Sequence, residues 1–292
     1  MKRFIISFVI MVLFLAFAIG QCNSISEDND KEIAALYSND VELEEKEEPV
    51  SEPVHEDYFL KTNEDIDLNG IVRCPSNIPH QLLCRLSYCL SYNKETLCPN
   101  WVAWHLTADH SEGVNPRDNY YYEDEDVPLP RATDADYRGS GWSHGHMCPA
   151  GDNKWDETAM KESNLLTNIC PQDRSLNSGL WNKIEQDCRR WAKMYGEIYI
   201  VCGPVLLNGE HETIGQNKIV VPEAFFKVIL CLQGKTKAIG FVVRNNEGKK
   251  ERDQFINTID EVERITGYDF FPTLPDSIEN EVETYSNIED WK

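Results

Sequence analysis

The chain has 292 residues, 41% of them hydrophobic, and carries 50 acidic against 28 basic side chains, a formal net charge of −22 at pH 7. That is apolar material enough for one sizeable folded domain, and a balance this acidic weighs against a stoichiometric nucleic-acid binder, whose affinity rests on phosphate contacts from lysine and arginine. It weighs less against a hydrolase, which needs complementary charge only where the transition state forms.

Residues 1–20 place Lys2 and Arg3 before an unbroken apolar run closed by Ala18-Ile19-Gly20. These are the parts of a secretory signal peptide, so the expectation is a secreted or periplasmic protein whose mature chain begins at Gln21. A rival expectation is a lipid-anchored surface protein acylated at Cys22, although Gln21 fits that signal poorly. No later segment is apolar enough to span a bilayer. Residues 21–69 are polar and acidic; the net charge is −13 over residues 21–70 and −11 over 71–292. Such a composition buries too little apolar surface to fold alone and reads as a disordered spacer.

A folded domain is expected over residues 70–275. Residues 88–107 read as a hairpin, two β-prone apolar runs about a polar connection at 93–100, and residues 117–130 read as a loop. Residues 197–207, 218–221, 224–232 and 237–243 have the β-branched and aromatic content of strands. Leu180, Ile184, Cys188 and Trp191 stand at helical spacing before Gly196, and Phe255, Ile259, Val262 and Ile265 do so before Gly267. Residues 276–292 read as an acidic tail. Strands and helices in this mixture predict an α+β fold with a mostly antiparallel sheet.

Chemistry concentrates in residues 136–172, DYRGSGWSHGHMCPAGDNKWDETAMKESNLLTNICPQ, and in Asn177 and Glu185 just beyond. Hydrolysing a phosphodiester takes a base for the water, a cation on the developing charge, and positive charge at the non-bridging oxygens. His146 is the candidate base, since an imidazole with a pKa of ~6.5 is mostly neutral yet basic near neutrality. Asn177, at the start of the helix, and Glu185, two turns on, offer a hard divalent ion an amide oxygen and a carboxylate. Each has a plainer reading when taken singly: a polar turn residue, a helix N-cap, a solvated carboxylate. His144 and His146 are also half of a zinc site, for which no further ligands stand at a convincing spacing.

The joint pattern resembles, at high specificity, the DNA/RNA non-specific endonucleases, which are ββα-metal (His-Me finger) nucleases. The resemblance runs over residues 87–275 and is carried by the turn around His146, TNICPQ, LNSGLWNKIE, NWVAWHLT, IVCGP, PEAFFKV and YDFFPTLPD. It implies a ββα metal motif on one face of the sheet, and a Mg²⁺-dependent, or Mn²⁺-dependent, hydrolase of DNA and RNA with little sequence preference. It implies His146 as general base, Asn177 as direct metal ligand, Glu185 acting on the metal through water, Asn168 positioning the base or the water, and Arg117 on the scissile phosphate. Arg131 and Arg138 compete with Arg117 for that role. Arg138, Gln172, Arg189 and His144 are expected at the substrate, and some members form homodimers. One departure stands out: the family's Asp-Arg-Gly-His is here Ser143-His144-Gly145-His146. The alternative it raises is a catalytically silent nuclease-fold binding protein.

Ten cysteines suggest an oxidising compartment. Cys74, Cys84, Cys89 and Cys98 are candidate disulfide partners, whereas Cys202 and Cys231 lie in apolar strands.

Overall fold

The computed structural model describes residues 67–207 and 209–292. The leader, Cys22 and the acidic spacer up to residue 66 lie outside the described residues. In chain order the main strands are β1 (Gln81–Cys84), β2 (Tyr88–Asn93), β3 (Cys98–Thr107), β4 (Ser143–His146), β5 (Ile169–Gln172), β6 (Glu197–Val205), β7 (Ala224–Cys231), β8 (Lys237–Arg244) and β9 (Ile256–Asn257). Seven of them form one antiparallel sheet in the order β9-β8-β7-β6-β3-β2-β1, while β4 and β5 pair as a separate hairpin. The fold is α+β, as the sequence predicts.

The central strands read as continuous apolar runs because both faces of the sheet are covered. Every residue of β7 is buried. On one face, Ile198, Ile200 and Cys202 of β6 and Phe225 and Ile229 of β7 share a core with Ile184, Cys188 and Trp191 of the helix Asn182–Tyr195. On the other lies the helix Ile259–Thr266, so close that a side chain at Gly240 would stand 2.7 Å from Val262 Cγ2.

The second helix starts later than its periodicity predicts. Ile256 and Asn257 pair with Phe241 and Gly240 as a strand, and Thr258 caps the helix by accepting a hydrogen bond from Glu261 N at 3.2 Å. Sheet pairing therefore claims residues whose spacing alone looks helical.

The C-terminal segment also differs from expectation. Instead of trailing as an acidic tail it forms the helix Asp276–Glu283 and buries Val282, Ile288 and Trp291. Trp291 packs 4.6 Å from Trp191, and Lys237 Nζ lies 3.7 Å from the Tyr195 ring centre and 5.3 Å from that of Trp291. Asp276, Glu281 and Glu289 stay exposed while these apolar residues dock.

Cysteine usage is corrected too. Cys84 and Cys89 form a disulfide, but Cys74, Cys98, Cys148, Cys170, Cys188, Cys202 and Cys231 are thiols, all buried except Cys74. They serve as small core residues.

Asp260, Glu263 and Glu283 gather with carboxylate oxygens within 4.8 Å of one another. Burial first, and then the neighbouring acids, push Glu263 to about 7 and Glu283 to about 8. Folded-state values above the ordinary 4.5 mean that the folded protein holds protons the unfolded chain has released. The stability so contributed is fully present below 4.5 and is lost progressively as pH rises from there through 7 to 8. Glu283→Gln should therefore raise the thermal midpoint at pH 9 by roughly 2–4 °C, the response of a domain this size to a surface charge term of about 1 kcal/mol, and leave it nearly unchanged at pH 5. Equal shifts at both pH values in a thermal melt would contradict this.

Candidate active site

The site is built on the β4–β5 hairpin and the helical segment that follows it. Ser143 lies opposite Gln172 and His146 opposite Ile169. Gly139 and Gly141, with φ of 73° and 92°, supply the left-handed turns that lead into β4. At Gly145 a Cβ would come within 2.6 Å of the Gln172 side chain, so glycine is needed there. Gln172, expected at the substrate, ends β5 and is fully buried, and neither end of its amide has a hydrogen-bond partner among the described residues. Buried in this way, it is out of reach of a surface ligand.

His146 closes β4 and is 5% exposed. Burial lowers its pKa to about 4, and Arg117 and His144 push the same way, while a hydrogen bond to Asn164 opposes them. That bond joins His146 Nε2 to Asn164 Oδ1 at 2.8 Å. Asn164 commits its Nδ2 to the Asp118 carbonyl at 3.1 Å, so Oδ1 is the end left to accept. Nε2 must then carry the proton, and Nδ1 is left as the basic lone pair.

From sequence, Asn168 is expected to position the base. In the structure Asn164 makes that contact, and the Asn168 side chain bonds backbone atoms of Cys148 and Ser163. Both asparagines lie in the same short segment, and spacing does not tell which of them faces the imidazole.

Asn177 is not the N-cap that its position suggests. Asp173 caps the segment by accepting from Ser175 N and Leu176 N, and Asn177 opens a wide turn, Asn177–Trp181, between the cap and the long helix. Gly179 breaks the helix there (φ −104°, ψ −108°), and a side chain at that position would stand 2.5 Å from the Gly248 carbonyl oxygen. A wide turn of this kind re-aims a side chain, and such turns cluster at functional sites. Asn177 Nδ2 donates to Ser143 Oγ at 3.1 Å and to the His144 carbonyl at 3.3 Å, and its Oδ1 accepts nothing among the described residues. An unspent amide oxygen, fixed by its own nitrogen next to β4, suits a hard cation.

Glu185, two turns further on, is partly open to solvent, yet burial of its carboxyl raises its pKa to about 7. Lys227, Arg189 and Arg117 oppose the rise, and Asp152 adds to it. Lys227 is fully buried on β7, its Nζ 4.8 Å from the Trp104 ring centre and 4.7 Å from that of Trp181. A lysine inside the apolar run AFFKVILC is the one sequence sign of this buried cation.

The expected arginines divide into committed and free. Arg189 pairs with buried Asp152 at 2.7 Å, Arg131 with Glu123 at 3.0 Å and Arg138 with Asp134 at 2.7 Å. Arg117 is exposed and makes no ion pair among the described residues, and its charge acts on both His146 and Glu185. His144 is sandwiched between Tyr121 and Tyr137, with ring centres 3.8 and 4.0 Å away, and its Nε2 lies 3.2 Å from Asp134 Oδ1 without the alignment of a hydrogen bond. Burial lowers its pKa, against the pull of Asp134. Among the described residues, the one group of three or more His, Cys, Asp or Glu placed to hold a metal is Asp260, Glu263 and Glu283, so the zinc reading of His144 and His146 has no further ligands.

A histidine at the end of a hairpin strand, followed by a helical segment that carries an unspent amide oxygen and a carboxylate, has the layout of the ββα class of metal-assisted nucleases. Residues 69–277 match the sequence model of the DNA/RNA non-specific endonucleases, and the chain belongs to that family. It is 34% identical to the mitochondrial nuclease EXOG of Homo sapiens over 209 residues, which cover 65% of this chain and 57% of that protein. The chain thus spans under two thirds of that relative's length. It is 31% identical to human mitochondrial endonuclease G, over 66% of this chain and 70% of the relative. It also superimposes on a chain of the crystal structure of the EndoG/EndoGI complex, with a TM-score of 0.64, 29% identity, and coverage of 68% of this chain and 88% of that one.

The relatives correct one expectation. Secretion, periplasmic export and lipid anchoring through Cys22 are read from residues 1–22, but EXOG and endonuclease G are mitochondrial and point to that compartment instead.

Asn164→Ala should leave the imidazole free to rotate and cut kcat on a nucleic-acid substrate by on the order of 10²-fold, the lower range of a positioned general base. An unchanged kcat in a folded variant would contradict this orientation of His146.

Proposed function

We propose that the chain is a metal-dependent endonuclease that hydrolyses phosphodiester bonds of DNA and RNA with little sequence preference. The observation that carries this reading is the hydrogen bond of His146: Nε2 is committed to Asn164, which leaves Nδ1 for a water at the end of β4, two residues from a carbonyl that helps to hold Asn177. Nδ1 takes the proton of the attacking water, and Asn164 holds the ring while the imidazolium forms. Arg117, drawn to the Tyr121 hydroxyl and close enough to influence His146 and Glu185, meets the non-bridging oxygens. Asn177 would hold the ion through Oδ1, and Glu185 would act on its water shell. Hard oxygen donors favour Mg²⁺, with Mn²⁺ as the alternative. When bound, the ion neutralises charge developing on the leaving oxygen. Contacts from arginine to the phosphate backbone carry no sequence information, hence the low base preference.

A silent binding protein is the poorer reading. Ser143 and His144 change the family motif, but Ser143 Oγ orients Asn177 and donates to the Gln172 carbonyl at 2.7 Å, so the serine serves the site. The comparisons lend that alternative no support.

Cleavage of supercoiled plasmid and of RNA, with Mg²⁺ and with EDTA, tests the proposal. The protein should cut both substrates with Mg²⁺ and neither with EDTA, and His146→Ala should be slower by about 10²–10⁴-fold. A wild-type protein that cuts nothing in Mg²⁺ or Mn²⁺ across the pH range would sink it.

A further inference from the structure

Tyr120 is 74% exposed, and among the described residues its ring and hydroxyl make no hydrogen bond or ring contact. Its backbone, by contrast, is pinned. Tyr120 N donates to Asp118 Oδ1 at 2.9 Å, and Tyr122 OH donates to the other oxygen of the same carboxylate at 2.7 Å. The Asp118 carbonyl accepts from Asn164 Nδ2, whose other end holds His146. Tyr122 is itself clamped, its N donating to the Asn164 carbonyl at 3.0 Å and its carbonyl accepting from Leu166 N at 2.8 Å. An aromatic ring free in solvent thus stands on a braced turn that is joined to the catalytic imidazole through one carboxylate residue and one amide. Arg117, which bears on the same imidazole, lies three residues before it.

Resting on the nuclease reading, we propose that Tyr120 is a stacking platform for an unpaired nucleobase beside the scissile phosphate. Single strands, and duplexes with an unpaired base at the cut, are then the preferred substrates. The chemistry is that of single-strand binding generally, where a cation tracks the phosphate and an aromatic face takes the adjoining base whatever its identity. A base inside a duplex has both faces covered, so only an unpaired base offers one to the ring. A platform must be fixed in its backbone and open at its ring, and Tyr120 meets both conditions. The low base preference of phosphate contacts is kept, because every base has a π-face.

The full chain with Mg²⁺ is given one oligonucleotide as a single strand and, separately, as a blunt duplex. Tyr120→Ala should lower kcat/KM on the single strand at least about fivefold more than on the duplex, the lower end of the cost of losing one stacked base, and Tyr120→Trp should restore the ratio. Independently, in EDTA, the His146→Ala protein should quench the fluorescence of a single strand carrying 2-aminopurine, and adding Tyr120→Ala should abolish the quench. Equal losses on the two substrates, or a quench that survives without Tyr120, would overturn the platform while leaving the nuclease reading intact. A wild-type protein that cleaves neither substrate would overturn both.

Discussion

The site depends on a single side-chain amide. Asn164 sits at the end of the helix Glu157–Ser163 and spends its two ends on partners from different parts of the chain, the Asp118 carbonyl 46 residues away and the His146 imidazole 18 away. Because an amide has one donating and one accepting end, the first bond decides the second, and the second decides which nitrogen of His146 is basic. The loop that carries Arg117 is therefore coupled to the protonation of the His146 imidazole through one side-chain amide.

The acidity of the chain loses its force as an objection once its arginines are located. Arg131, Arg138, Arg189 and Arg190 each face a carboxylate within 3.0 Å, so they lend no broad positive field to the surface. Arg117, Lys227 and Arg189 all act on one carboxyl, Glu185, and oppose the rise that burial causes. A positive potential made this locally favours a charge appearing at one point over tight binding of the whole polymer, the distribution that turnover requires.

Much of this was legible in the sequence. His146, Asn177 and Glu185 lie within forty residues of one another, on a hairpin and the helical segment after it. The central strands were legible for a different reason, that burial on both faces leaves unbroken apolar runs. Residues joined by tertiary contact were not. Nothing in the spacing separates Asn164 from Asn168, and nothing makes Gln172 a buried residue until its side chain is seen packed against Gly145. The late start of the helix Ile259–Thr266 and the docking of Trp291 follow from a sheet edge and an indole neighbour that only the folded chain provides.

The Cys84–Cys89 bond spans only five residues of chain. Closing so short a loop removes little disorder from the unfolded chain, worth about 2 kcal/mol by loop-closure entropy. Six other thiols are sealed in the core, where neither oxidant nor reductant has ready access. Among the described cysteines, the fold therefore feels the glutathione poise through one short disulfide. The same architecture can stand in a reducing matrix or an oxidising one, and its cysteines carry no record of which of them the chain occupies.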